Sequence, residues 1–279
     1  MQRKKVGLAL GGGGARGLAH IGVLQILEEE DIPIDMIAGA SAGAAIGALY
    51  AQGKDASLIK NLAIKLLDWR KLLSLVDFGF SRTGLIHGKK VWELLKLIMG
   101  GDVNFSDLKI QLACVATDIT RCEEVVINEG SVVDAVRASF SIPGIFAVAK
   151  LKGRYLVDGS LVNPVPVSVV RRMGADFVIA VNVIPVFKEK RFQTDKEGIA
   201  TFKKPNIFNV VTQSFQMAQC LLVRSCLESA DIVIRPRVAH IGVGDFRRRQ
   251  ECILQGELAT KDSIIEINRQ LGIRKAKGD

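Results

Sequence analysis

Val6-Gly7-Leu8-Ala9-Leu10-Gly11-Gly12-Gly13-Gly14-Ala15-Arg16-Gly17, followed one helix later by Asp35-Met36-Ile37-Ala38-Gly39-Ala40-Ser41-Ala42-Gly43, is the stretch on which the fold turns. Val6 to Leu10 is a short apolar run closed by glycines and reads as a buried strand. A helix follows from about Ala15 to Glu30, its apolar face carried by Leu18, Ile21, Leu24 and Leu27, and Asp31-Ile32-Pro33 ends it. Asp35 to Ala40 reads as a second buried strand, Ser41 as a turn, and Ala42 to about Gln52 as a helix of small residues. Strand, glycine loop, helix, strand, sharp turn, helix: such alternation predicts a parallel sheet with helices packed on its faces.

Working outward, residues 55–75 and 88–99 read as helices. Between them, residues 77–85 form a glycine-punctuated loop with aromatics, a candidate lid or entrance. Further strands are expected at 111–117, 124–128, 154–157, 177–183 and 232–234, and further helices at 132–139, 207–229 and about 246–270. Residues 188–206 are polar, lysine-rich and aperiodic, which predicts a mobile basic loop. The tail 274–279 is expected to be disordered. The reading is of a single domain over 1–279, with its motifs in about 5–185 and helices in about 207–270.

Hydrophobic residues at 48% supply a core, and a net charge of +9 favours anionic surfaces, phospholipid headgroups and nucleic acid alike. Aromatic residues at 6%, with no basic-aromatic interleaving, argue against a nucleic-acid groove. Five cysteines without C-x-x-C spacing suggest neither a disulfide framework nor a zinc site. The basic N-terminus runs into an apolar stretch broken at once by glycines, unlike a signal peptide. No run of about 18 apolar residues is present to span a membrane. A cytoplasmic protein is expected. Peripheral contact with an anionic inner membrane face, through Arg247-Arg248-Arg249 or residues 188–204, stands beside the alternative of a solvated charged face.

Gly39-Ala40-Ser41-Ala42-Gly43 fits G-x-S-x-G between a strand and a helix. A tight turn there strains its middle residue and pushes the side chain out, and bulky neighbours would collide. Ser41 as a plain helix N-cap is the alternative; the strand before and helix after favour a nucleophile. Gly11 to Gly17 opens the first helix. Gly12, Gly14 and Gly17 satisfy the dinucleotide pattern G-x-G-x-x-G, so a nucleotide-binding module is one reading. That pattern wants an acidic residue at the end of the second strand, whereas Asp35 sits at its start and Ser41 at its end. The other reading is an oxyanion hole whose backbone N–H groups hold the anion formed when Ser41 attacks an ester. Arg16 is expected to buttress the loop or attract an anionic headgroup.

A serine nucleophile needs a base. His20 lies in the first helix and reads as packed, and His87 falls in the loop region. Ser41, Asp158 and His240 would match the chain order of an α/β-hydrolase triad. Asp158 in Tyr155-Leu156-Val157-Asp158-Gly159-Ser160 is the other candidate, although Asp-Gly is also a common hairpin turn. A bare carboxylate would need a dehydrated site to work as a base at neutral pH.

Taken together, the loop Gly11–Gly17, the elbow Gly39–Gly43, Asp158-Gly159 and the stretch Ala138-Ser139-Phe140-Ser141-Ile142-Pro143-Gly144-Ile145-Phe146 resemble the patatin-like phospholipases, especially the small bacterial single-domain members. The resemblance covers about residues 5–185. It implies a three-layer α/β/α sandwich with a mostly parallel central sheet. It also implies a Ser41–Asp158 dyad without histidine, an oxyanion hole at the backbone of Gly12, Gly13 and Gly14, and cleavage of lipid esters through an acyl-enzyme without metal or organic cofactor. Two departures stand out. Ser160 occupies a position where the family usually has glycine or alanine, which bears on how Asp158 is held. Ala147-Val148 follows Phe146 where proline is frequent. A regulatory adaptor that keeps the fold but not the catalysis is the remaining alternative. Oligomeric state is not readable.

Overall fold

Along β1 (Val6–Leu10) successive side chains part to opposite sides of a sheet: Leu8 and Leu10 join one buried cluster and Ala9 joins another. The same division runs through β2 (Met36–Ala40), where Ile37 faces one way and Met36 and Ala38 the other. A strand buried on both faces has no polar side, so these strands read as continuous apolar runs. The structure, a computed structural model, describes residues 3–66, 78–81, 84–86, 89–185 and 207–273. The remaining strands are β3 (Phe78–Ser81), β4 (Gly84–Ile86), β5 (Gln111–Asp118), β6 (Glu123–Ile127), β7 (Gly144–Phe146), β8 (Ala149–Leu151), β9 (Arg154–Asp158), β10 (Phe177–Val181) and β11 (Ile232–Ile234).

The main sheet runs β11-β10-β1-β2-β5-β9-β8, with β6 also paired to β5. The five strands from β11 to β5 are mutually parallel, and β6, β8 and β9 add antiparallel pairs. From β1 the chain moves outward through β2 on one side and through β10 on the other. The carboxyl ends of these strands form a topological switch point, where α/β sheets open a crevice. The residues after β1 and β2 are the glycine loop and Ser41.

The helices are α1 (Ala19–Glu29), α2 (Ala42–Ala51), α3 (Ala56–Leu66), α4 (Lys89–Met99), α5 (Val132–Ser139), α6 (Val167–Arg172), α7 (Ile207–Cys226) and α8 (Arg249–Leu271). Residues of α1, α2, α3, α5 and α8 fill the larger apolar cluster, and α6 with the end of α7 covers the opposite face. This is the expected three-layer sandwich. The face under α6 is lined by small residues, Ala9, Ala38, Ala40, Ala113 and Ala180 among them. No helix among the described residues is long and apolar enough to cross a membrane.

Helices α1 and α8 cross at Gly22 and Gly256. A Cβ on Gly22 would lie 2.0 Å from the Ile253 carbonyl oxygen, and one on Gly256 would lie 1.9 Å from that of Ala19. Both obstacles are backbone, so a side chain can be admitted only by moving a helix. Gly256→Val is expected to cost about 2 kcal/mol through overpacking, a fall of roughly 4–8 °C in Tm. Thermal unfolding followed by circular dichroism checks it, and an unchanged Tm would show that the helices are not pinned there.

The structure departs from the sequence reading in two places. Phe78 to Ile86 is not a plain loop. β3 and β4 form an antiparallel hairpin, and β4 pairs with β7 in a separate three-stranded sheet. Phe78 and Phe80 are strand-forming aromatics, and pairing with β7 gives β4 backbone partners that a loop would lack. Val167–Arg172, unassigned from the sequence, is a helix. The end of the 55–75 helix, the basic loop 188–206 and the tail 274–279 lie wholly or partly outside the described residues, as does His87. Within Arg247-Arg248-Arg249, Arg248 forms an ion pair with Glu251 at 2.5 Å, which reduces the free charge of that basic run.

Candidate active site

Strand β5 joins the two halves of the site. Along one edge its first half pairs parallel with β2, ending with Ala40 opposite Val115. Its second half pairs antiparallel with β9, beginning with Asp158 opposite Ala116. The other edge belongs to β6, with Val126 opposite Val115 and Val125 opposite Ala116. β2 and β9 therefore share one lane and approach each other carboxyl end to carboxyl end. Ser41, the residue after β2, meets Asp158, the last residue of β9.

Ser41 has φ 52° and ψ −119°, a left-handed conformation rare for a residue with a side chain. Its carbonyl accepts from the amides of Ala44 and Ala45, starting α2. The turn closes tightly: a Cβ on Gly39 would lie 2.5 Å from the Ala44 nitrogen, and one on Gly43 would lie 2.2 Å from the Leu10 carbonyl oxygen. The elbow is therefore locked by its own helix and by the end of β1.

The C-terminal end of α5 clamps both halves. Ser139 Oγ accepts the Ser41 amide at 2.9 Å and donates to the Val115 carbonyl at 2.6 Å. The Ser141 carbonyl accepts the Asp158 amide at 2.9 Å. Arg137, buried, donates to Ser141 Oγ and to the Ala147 carbonyl and holds this segment in place. The sequence offered one hint of this: hydroxyls inside an otherwise small and apolar run.

Asp158 is fully buried. Its Oδ1 accepts the Ser160 amide at 2.8 Å, while Oδ2 has no partner of standard geometry. Loss of water around the carboxyl raises its pKa to about 6; the Ser41 hydroxyl and then the Ser160 amide and hydroxyl pull in the opposite direction. The Asp158 carboxyl is thus held away from water. His240 instead faces Glu251 at 2.8 Å near the surface, and no histidine is among the hydrogen-bond partners of Asp158 in the described residues. His20 is buried, with Nε2 set 2.7 Å from the Gly11 carbonyl; burial pushes it down to about 4, so it stays neutral and steadies the loop.

The glycine loop lies against the serine. A Cβ on Gly12 would fall 2.1 Å from Ser160 Oγ and 3.3 Å from Ser41 Cβ, so a side chain there would have to displace the Ser160 hydroxyl. The Gly12 amide is already committed to the Pro164 carbonyl at 3.0 Å. The amides of Gly13 and Gly14 have no acceptor among the described residues. Of the three expected oxyanion donors, Gly12 therefore instead fixes the loop. Arg16 is buried and donates through Nε to the Ile241 carbonyl at 2.5 Å, the buttressing role. The neighbouring Val243 carbonyl accepts the Ala15 amide. Pro164, Ile241 and Val243 were invisible as site residues because they act through backbone oxygens.

A mostly parallel sheet flanked by helices, with a strained serine turn beside a glycine loop, is thus in place. The profile of the family described as Patatin-like phospholipase matches residues 8–171, and the chain belongs to that family. An NTE family protein of Mycobacterium tuberculosis is 38% identical over 181 residues, covering 64% of this chain and 49% of that protein. A patatin-like phospholipase domain-containing protein of Caenorhabditis elegans is 32% identical over 96% of this chain and 21% of its own length. The lysophospholipase NTE1 of Saccharomyces cerevisiae is 35% identical over 64% of this chain and 11% of its own length. The chain thus spans about half the length of the mycobacterial relative or less of the others. Among solved structures, VipD from Legionella pneumophila superposes with a TM-score of 0.63 over 95% of this chain and 67% of that chain, at 15% identity, a likeness of fold.

Proposed function

We propose that the protein hydrolyses carboxylic esters of lipids, of the phospholipid or lysophospholipid class, through an acyl-enzyme on Ser41 with Asp158 as base. The observation that carries this reading is the shared lane on β5, which sets a strained serine against a dehydrated carboxylate. Asp158 takes the Ser41 proton as Oγ attacks the ester carbonyl. The amides of Gly13 and Gly14 receive the developing oxyanion, each such donor being worth about 3 kcal/mol in comparable sites. Collapse of the tetrahedral intermediate breaks the ester bond, and the proton on Asp158 passes to the departing alcohol or glycerophosphoryl fragment. Water, deprotonated by Asp158, then attacks the acyl-enzyme, and as the Oγ–acyl bond breaks, Asp158 returns the proton to Ser41 Oγ and the fatty acid leaves. Family membership and the lysophospholipase name of the yeast relative support a lipid substrate. The nucleotide reading gains nothing from the geometry, since the end of β2 carries the serine turn.

The test is release of fatty acid from lysophosphatidylcholine and phosphatidylcholine micelles, with a fluorophosphonate label mapped by mass spectrometry. The expected outcome is turnover together with label on Ser41. A folded protein that neither takes the label nor releases acid from any ester in the panel would overturn the reading. The net charge of +9 further supports attraction to anionic vesicles that weakens as salt rises.

A further inference from the structure

Two buried polar atoms without a hydrogen bond of standard geometry sit two residues apart on one turn: Asp158 Oδ2 and Ser160 Oγ. Both residues are fully buried. Buried hydroxyls and carboxylate oxygens are rarely left unpaired, and an orphaned pair at one site calls for a reason. The Ser160 amide already holds Oδ1 at 2.8 Å, and its Oγ lies against the Cα hydrogen of Gly12, on the Ser41 side of the loop.

We propose that Ser160 is a positioning residue for the base: its hydroxyl donates to the ionised carboxylate of Asp158 and sets the pH below which the enzyme stops working. The inference rests on the Ser41–Asp158 reading above. A hydroxyl proton is free to turn toward the nearest acceptor, and it stabilises the charged form of that acceptor. Its direction of action agrees with the downward pull of the Ser160 hydroxyl on Asp158.

Among the described residues, the other ionisable groups near this turn face elsewhere. On β5, Asp118 is occupied by Thr120 and Arg121. On α5, Arg137 is turned to Ser141 and Ala147. Arg16 is turned to Ile241, and His20 to Gly11. The Ser41 and Ser160 hydroxyls are left as the side chains that tune the carboxylate.

The experiment is the pH dependence of fluorophosphonate labelling and of kcat/KM in wild type, Ser160→Ala and Ser160→Gly. Losing the donor is expected to move the acid midpoint upward by about half to one pH unit in both variants, with a loss of under tenfold on the alkaline plateau. The midpoint is a ratio within each protein, so a variant that folds in low yield still reports it. A midpoint unmoved in both variants, with Ser41 still labelled, would overturn this proposal and leave the dyad standing. Failure of the wild type to be labelled at any pH would overturn the dyad instead.

Discussion

Ser41→Ala is expected to lose ester hydrolysis by about 10⁴-fold or more, the scale on which removing a nucleophile costs a hydrolase. The loss should fall on kcat, since the glycine loop and crevice that bind substrate remain. Ser41→Gly sharpens the test. The strain at φ 52° belongs to the backbone of any residue with a Cβ, so alanine inherits it and glycine relieves it. Relief of a strained left-handed residue is worth about 1–3 kcal/mol, less the added freedom of glycine in the unfolded chain. The glycine variant should therefore be inactive yet more stable than wild type by about 1 kcal/mol, while the alanine variant is inactive without that gain. Hydrolysis and denaturant unfolding read the two effects separately. Activity within tenfold of wild type in Ser41→Ala would remove the nucleophile from the account.

The central fold was legible because β1 and β2 are short apolar runs cut off by glycines, and because the elbow has a strand before it and a helix after. What escaped has a physical cause in each case. Val167–Arg172 went unassigned because Val167, Val169, Val170 and the prolines at 164 and 166 are all poor for helix. Packing over a face of small residues overrides those propensities. The pairing of β4 with β7 joins segments remote in the chain and leaves no local signal. Asp158 was legible as a candidate base, but the residues around it left it level with a hairpin turn and only the resemblance singled it out. Asp-Gly is ordinary turn chemistry, and only the register of β5 shows β9 taking over the lane that β2 vacates. The Gly12 amide could not be excluded as a donor from sequence, because its acceptor is the backbone of Pro164.

Asp158→Asn is expected to be nearly inactive, losing about 10³–10⁴-fold, and at the same time more stable than wild type at alkaline pH. The sign follows from linkage. Burial raises the Asp158 carboxyl from an ordinary 3.8 to about 6. Between those values the native state holds a proton that the unfolded chain has released, so wild-type stability falls as pH rises through this window and stays lower above it. The full difference is about 3 kcal/mol. His20 acts oppositely over nearly the same range. Its pKa is lowered from 6.5 to about 4, so the unfolded chain binds the extra proton there and stability rises with pH. Total stability would blur the two, but the difference between wild type and Asp158→Asn cancels the histidine. That difference should be largest at pH 8, reduced somewhat by the unpaired amide the variant introduces, and should close near pH 4, where the wild-type carboxyl is protonated. A variant that is less stable at pH 8, with a gap that does not change down to pH 4, would mean the carboxylate keeps its water and lacks the basicity to deprotonate Ser41.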